Sequence, residues 1–479
     1  MLALTCAALP AFAADVPENV DALLQRYHEL GQFNGAALVV DGGAIALQKG
    51  YGKASLRWSI DNSPSTRFLV GSITKSITAL LVLRLADAER LNLDANVSEY
   101  LDYYRRDVGE RITLRHLLTH TDGLPNYTAN GQFWQPDVLA APLTTRDFIT
   151  QFCSGDLAFE PGSDYRYGNA GYSILGAIVE TVTGETYADA ARRLILEPLG
   201  MHRTGVHVPG AMIPELAGGY ERAPGGLRPA APIPRPLFAA GSLYSTLDDL
   251  LAYDRGLRKG HALEDSVLDA ALFTRADAID GTFAYGWNVG ALDLNRAIPS
   301  TRYTATNGEI NGYNAIMVRI PDAEQLIVLL NNTGETLLFD IVSNILRVLN
   351  DLPAVDPEPT LRDAFVSRLD EQTVTAAVTY YRQQRGLLPN DALFFPWTMR
   401  ITAGHLIADG RYADAAVLLK LNLETNTNDA RSLDLLATAQ MRSGQPKAAE
   451  ESLQAALAIE PGNPWFAERL ARLRADNPD

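Results

Sequence analysis

Ser72 and Lys75 stand three residues apart in Gly71-Ser-Ile-Thr-Lys-Ser-Ile-Thr-Ala-Leu-Leu81. A serine hydroxyl is a poor nucleophile until a base takes its proton. Residues three apart on a helix are neighbours on one face, so an amine at 75 and a hydroxyl at 72 can share one small space. Burial in an apolar helix disfavours the charged form of a lysine, and a lysine of that kind can serve as the base. The pair therefore points to acyl transfer through a covalent serine. The plain alternative is a capping serine beside a snorkelling lysine, because a pattern with two fixed positions often arises by chance. A second pair, Tyr167 and Asn169, flanks Gly168. A phenol beside an ammonium can pass protons, and a carboxamide can hold both sides of a substrate amide. Gly168 is expected to permit the sharp turn that would aim both side chains at one cleft. The alternative here is a loop tyrosine at a helix start.

These groups need a scaffold. Ile73, Ile77, Leu80, Leu81 and Leu85 recur at helical spacing, which predicts a buried helix running to about Ala88. Residues 19–33 read as an amphipathic helix, and residues 35–40 and 44–49 as a hairpin around Asp41-Gly42-Gly43. Residues 112–124 read as a short helix ended by Gly123 and Pro125, and a further helix is expected from Tyr172. Ser245 or Thr246 is expected to cap another helix, with Asp248 and Asp249 in its first turn. Residues 283–292, 303–306, 313–320 and 325–330 are β-rich, and residues 338–349 are apolar at helical spacing.

Composition excludes several classes. The net charge of −16 disfavours nucleic acid and anionic membrane, both of which need a basic face. His116 and His120 have the i, i+4 spacing of helix-borne metal ligands, but no Glu follows His116 and no third ligand is evident. They are read as packing and hydrogen-bonding residues, with no metal and no cofactor expected. No Gly-x-x-x-x-Gly-Lys-Ser/Thr loop is present, and Gly171-Tyr-Ser-Ile-Leu175 matches only half of a nucleophile elbow. Residues 1–13 are apolar and uncharged, end in Ala11-Phe12-Ala13, and read as the end of a secretory signal. A secreted, periplasmic location follows as an expectation, with no integral membrane segment. Cys6 lies in that stretch and Cys153 is then alone, so no disulfide is expected.

Taken together, Ser72-Ile-Thr-Lys75, Tyr167-Gly168-Asn169, residues 112–124 and Ala240-Gly-Ser-Leu-Tyr-Ser-Thr-Leu-Asp-Asp249 resemble the serine β-lactamase and penicillin-binding family, in its class C, esterase and D-peptidase branch. The resemblance implies an α+β fold, an antiparallel sheet flanked by helices plus a helical domain, over residues 14–350. It implies Ser72 as nucleophile, Lys75 coupled to Tyr167 as base, and Asn169 as a substrate-binding residue. The family's third motif carries a lysine or histidine on a strand beside the site. Aligning on Gly312-Tyr313 places Thr306-Asn307-Gly308 there, followed by Glu309, and the cation is missing. Thr306, Asn307, Gly308 and Glu309 are thus expected at the substrate site, with an oxyanion held by the backbone amides of Ser72 and Glu309. The departure counts against β-lactam turnover, and Glu309 would suit a free amine.

Residues 351–371 read as a linker that is Pro- and acid-rich at its start. Residues 372–479 read as an all-α domain: Gly410-Arg-Tyr-Ala-Asp-Ala-Ala416 and Gly444-Gln-Pro-Lys-Ala-Ala-Glu450 are offset by 34 residues, a period that resembles tetratricopeptide repeats. Such repeats imply a protein or peptide partner; the alternative is a helical appendage that simply packs on the hydrolase domain. The chain is read as a secreted serine hydrolase working through an acyl-serine on an ester, or on a D-amino-acid amide or peptide. The alternative is a catalytically weak penicillin-binding-like scaffold or sensor that binds a partner through its repeats.

Overall fold

The computed structural model describes residues 16–129, 141–208, 210–231, 237–258, 283–292, 301–385 and 396–476, with Phe133 and Val138; the signal-like residues 1–13 lie outside them. The core is a seven-stranded sheet: β1 (Gly35–Asp41), β2 (Ala44–Tyr51), β3 (Phe283–Ala284), β4 (Trp287–Leu292), β5 (Thr301–Ile310), β6 (Tyr313–Ile320) and β7 (Gln325–Asn331). Their spatial order is β3-β4-β5-β6-β7-β1-β2, and every neighbouring pair is antiparallel. Side chains alternate faces along a strand, so both faces can be read from one register. Ala36, Leu38 and Val40 of β1 enter one core, and Ala37 and Val39 enter the other. With both faces covered, β1, β6 and β7 read as nearly unbroken apolar runs.

The second of these cores is closed by α1 (Val16–Glu29) and α4 (Leu338–Leu349), whose buried stripes include Leu24 and Ile345. The first lies against α2 (Thr74–Asp87) and α3 (Ala170–Thr183). Helix α2 is buried on nearly all sides, and Ile77, Leu81 and Val82 are fully enclosed. The sequence stretch 112–124 forms only the short helix Leu114–Leu118. Thr246 caps the Leu247–Arg258 helix by accepting from the Asp249 amide at 3.3 Å.

Residues 361–371, read from the sequence as linker, are instead α5 (Leu361–Glu371). Thr360 and Asp363 cap it reciprocally, and Leu361, Phe365 and Leu369 enter the core of the C-terminal helices. The proline run masked this helix because its apolar stripe starts directly after Pro359-Thr360. Then come α6 (Val374–Gln384), α7 (Pro396–Ala408), α8 (Tyr412–Leu423), α9 (Ala430–Arg442), α10 (Pro446–Ile459) and α11 (Pro464–Asp476). The repeat is visible at its joints. Gly410 and Gly444 both take left-handed φ, 75° and 72°, where the chain leaves one helix for the next. Asp429 caps α9 by accepting from the Ser432 amide, and Asn463, 34 residues on, accepts from the Trp465 amide at 3.1 Å.

The helical domain is bound to the sheet domain by polar pairs. Arg228 meets Asp409 at 2.6 Å, Arg222 meets Asp363 at 3.3 Å, and Thr398 donates to Glu335 at 2.9 Å. Burial alone would raise the Asp363 carboxyl, but Arg222 and Arg362, with hydrogen bonds to Thr360 and Gln32, together hold it below its usual range. Among the described residues no helix is long and apolar enough to cross a membrane.

Candidate active site

The short strand Phe68–Leu69 leads into a tight helical turn, Gly71–Ile73, and then into α2. This turn carries Ser72. Gly71 has φ +50°, and a Cβ there would lie 2.8 Å from the Glu309 amide nitrogen. Thr74 fixes the turn: its hydroxyl donates to the Gly71 carbonyl at 2.7 Å and accepts from the Leu243 amide at 3.0 Å.

Lys75 is 1% exposed, and its Nζ has three polar neighbours. Nζ lies 3.0 Å from Ser72 Oγ, 2.7 Å from Asn169 Oδ1 and 2.8 Å from the Ala240 carbonyl. Asn169 stands at the N-terminal cap of α3, yet its side chain does not cap that helix. It is diverted to the site: Oδ1 accepts from Lys75, and Nδ2 donates to Thr128 Oγ1 at 3.2 Å. Tyr167 sets its ring beside Lys75, with Nζ 4.9 Å from the ring centroid. Its hydroxyl makes no hydrogen bond to Ser72 or Lys75. Gly168 is not in the left-handed region, and an added Cβ would meet Asn126 only at 3.7 Å, so the turn there does not depend on glycine. Asn126 braces the loop instead, with Oδ1 accepting from the Asn169 amide at 3.3 Å.

Behind Tyr167 sits His120, buried and in left-handed backbone geometry (φ 56°). Its ring packs against Tyr167 at 4.5 Å, Phe283 at 4.6 Å and Tyr172 at 5.2 Å between centroids. Neither ring nitrogen has a hydrogen-bond partner. Burial, with Lys75 nearby, pushes its pKa well below the ordinary histidine value, so the ring is a neutral packing block. His116 receives the Thr113 amide on Nδ1 at 3.2 Å, in a helix cap.

The third-motif strand lies where the alignment put it. β4 pairs only with residues 301–305 of β5, whereas β6 pairs through Ile310, so residues 306–310 present one open edge to the Ser72 turn. A Cβ on Gly308 would fall 1.9 Å from the Val70 carbonyl and 2.6 Å from the Ser72 amide nitrogen, so only glycine lets these backbones meet. Thr306 and Gly308 oppose Met317 and Ala315 and share their sheet face, and Thr306 is buried. Asn307 and Glu309 lie on the opposite face.

Ser72, Asn126, Thr128, Asn169 and Glu309 line one cleft of about 1050 Å³. Its far wall is the helical domain, through Arg400, His405, Asp429, Arg431 and Glu460. No local signal in the sequence could have paired these residues with Ser72. Arg400 is paired with Asp429, and His405 faces Glu221 at 3.4 Å. Glu309 has neither an ion pair nor a side-chain hydrogen bond among the described residues. Solvent reaches its carboxylate through the cleft, but protein surrounds it there. That enclosure, with Glu335 adding and Arg362 opposing, pushes its pKa up to about 7.

Ser72 and Lys75 therefore stand side by side at the edge of an antiparallel sheet in an α+β scaffold. The chain belongs to the beta-lactamase family, whose pattern matches residues 20–349, and a tetratricopeptide repeat matches residues 430–473. PbpX of Bacillus subtilis (strain 168), which its name places among penicillin-binding proteins, is 28% identical over 324 residues, spanning 67% of this chain and 76% of PbpX. The crystal structure of a penicillin binding protein from Bacillus halodurans aligns with a TM-score of 0.61 at 24% identity, covering 68% of this chain and 98% of that one. The D-amino acid amidase from Ochrobactrum anthropi SV3, complexed with D-phenylalanine, aligns with a TM-score of 0.60 at 20% identity over 71% of this chain and 99% of that one.

Proposed function

We propose that the chain is a serine hydrolase that forms an acyl-Ser72 intermediate on a small ester or D-amino-acid amide carrying a free amine. The observation that carries the reading is Lys75 Nζ, held at once to Ser72 Oγ, Asn169 Oδ1 and the Ala240 carbonyl. A neutral amine has two N–H donors and one lone pair. With Asn169 and Ala240 taking the donors, the lone pair faces Ser72 and can accept its proton. Ser72 Oγ then adds to the substrate carbonyl. The oxyanion lies between the Ser72 and Glu309 amides, donors worth ~3 kcal/mol each at sites of this kind. Collapse expels the amine or alkoxide, which takes a proton back from Lys75 or from the Tyr167 phenol. Water releases the acyl group by the same sequence.

The substrate's charge follows from the cleft. Glu221, Glu309, Glu335 and Glu460 line it beside Arg400, His405 and Arg431; Arg400 is paired with Asp429, His405 faces Glu221 and Arg431 is bonded to the Thr128 carbonyl, whereas Glu309 forms no ion pair among the described residues. No cation stands on β5 beside Ser72 to hold a carboxylate, so β-lactam turnover is expected to be poor and an ammonium group is expected to bind.

Incubation with a fluorophosphonate, followed by intact mass, tests the nucleophile. One adduct per chain, absent in Ser72→Ala, is expected; labelling that persists in Ser72→Ala places the nucleophile elsewhere. No labelling, together with no hydrolysis of nitrophenyl esters or D-amino-acid amides, would leave the scaffold reading in its place.

A further inference from the structure

A line of hydrogen bonds crosses from the helical domain to the nucleophile. Arg431, in the first turn of α9, donates from Nη2 to the Thr128 carbonyl at 3.1 Å, a contact spanning 303 residues of sequence. Thr128 Oγ1 accepts from Asn169 Nδ2 at 3.2 Å, Asn169 Oδ1 accepts from Lys75 at 2.7 Å, and Lys75 reaches Ser72 at 3.0 Å. Arg431 and Thr128 both line the cleft that holds Ser72. Enclosing a guanidinium costs free energy unless it is compensated, and burial draws the pKa of Arg431 down to about 10, with Arg400 adding and Asp429 and Glu460 opposing. The ion pair between Arg228 and Asp409 ties the same domain down at a second place.

We infer that the repeat domain is a working part of the active site: Arg431 is a positioning residue that braces the Thr128 loop, and through it the Asn169 side chain that orients Lys75. Tetratricopeptide repeats ordinarily offer a concave surface to a partner. Here Arg400 of α7 and Arg431 of α9 are instead turned toward the cleft that holds Ser72. The inference rests on the acyl-serine reading for its kinetic consequence, but the brace can be observed without turnover.

The test uses the full-length chain with Arg431→Ala, Thr128→Val, the double variant and Arg431→Lys. Misplacing a catalytic group by about an ångström costs on the order of 100-fold, so Arg431→Ala should lower kcat by 10- to 100-fold while KM changes little. Arg431→Lys, which keeps a donor, should recover most of kcat. The double variant should lose less than the product of the single losses, because both act on Asn169. A rise in KM at unchanged kcat, or multiplicative losses, would overturn the brace and leave Arg431 as a cleft-lining residue. Hydrogen exchange supplies an arm independent of activity. The amides of Leu124 and of residues 126–129 should exchange faster in Arg431→Ala, and in Arg431→Gln if the alanine variant does not fold; unchanged exchange overturns the inference even if the wild type hydrolyses nothing. If Ser72 is not labelled but the exchange arm responds, the hydrolase reading fails and the brace stands.

Discussion

Asn169 holds Lys75 by its carboxamide oxygen at 2.7 Å while its nitrogen is tied to Thr128 at 3.2 Å, so the orientation of the amide is set from both ends. A side chain at a helix start usually satisfies the orphan amides of that helix. This one instead serves the lysine. Asn169→Ala should leave α3 in place, because the side chain contributes no cap, but should remove the acceptor that aims Lys75. The expected result is a loss of about 100-fold in kcat/KM and in the rate of fluorophosphonate labelling. Both are read by stopped-time intact mass, with circular dichroism unchanged. A Tm drop with normal labelling would mean that the residue is structural only.

Gly308 makes a sharper steric prediction. Its Cβ position is 1.9 Å from the Val70 carbonyl, a backbone atom that cannot rotate away. Gly308→Ala must push β5 and the Ser72 turn apart, moving the Ser72 and Glu309 amides away from a shared oxyanion. Loss of one such donor costs ~3–4 kcal/mol, a fall of 100- to 1000-fold in kcat. Gly168→Ala is the matched control: its Cβ meets nothing nearer than 3.7 Å, and activity should stay within about threefold of wild type. Steady-state kinetics on one ester distinguishes the two.

This contrast marks what could be read from the sequence. Ser72, Lys75 and the apolar spacing of α2 are local, and so were legible. So were the hairpin at Gly42-Gly43, the strand 313–320 and the helix 338–349, because each has its own periodicity and punctuation. The role assigned to Gly168 was not found in the structure, since Asn126 sets the loop through a contact 43 residues away. Helix α5 was hidden because Arg362 and Asp363 look like surface charges, yet both are enclosed by Arg222, Glu335 and each other. The far wall of the cleft was illegible for the same reason: Arg431 and Thr128 have no pattern in common and meet only through tertiary packing.

Asp122 should make stability depend on pH. It is enclosed behind the site, and burial raises its carboxyl to about 7, against hydrogen bonds from the Leu124 and Asp122 amides. An acid whose pKa is higher folded than unfolded binds its proton more tightly in the native state. Its stabilisation is therefore full below about pH 4 and is lost as pH rises through about 7. Asp122→Asn keeps the acceptor for the Leu124 amide and removes the titration. Relative to wild type, the variant should gain stability between pH 5 and pH 8, by roughly 2–4 kcal/mol at the upper end. Urea denaturation at both pH values measures this; a constant difference between the two proteins would show that Asp122 does not titrate in the window.

Glu309 should make substrate preference depend on pH in the opposite sense to Asp122's effect on stability. Its carboxyl, raised to about 7 by burial and by Glu335, is largely neutral at pH 6 and ionised at pH 8. The test ester carries its amine several methylenes from the carbonyl, where it stays charged over this range with a pKa of about 10; an α-amino group, at about 8, would itself titrate. Attraction to Glu309 is therefore switched on as pH rises. The ratio of kcat/KM for an amine-bearing ester to that for its amine-free analogue should climb about 5- to 10-fold from pH 6 to pH 8, the effect of ~1 kcal/mol in a solvent-reached site. Lys75 and Tyr167 act on both substrates alike, so their contribution cancels in the ratio. Glu309→Gln should flatten the ratio at its pH 6 value while leaving the amine-free ester unaffected. A ratio that climbs equally in the variant would assign the preference to Glu335, whose carboxyl burial also raises, and a flat ratio in the wild type would remove the amine from the substrate's description.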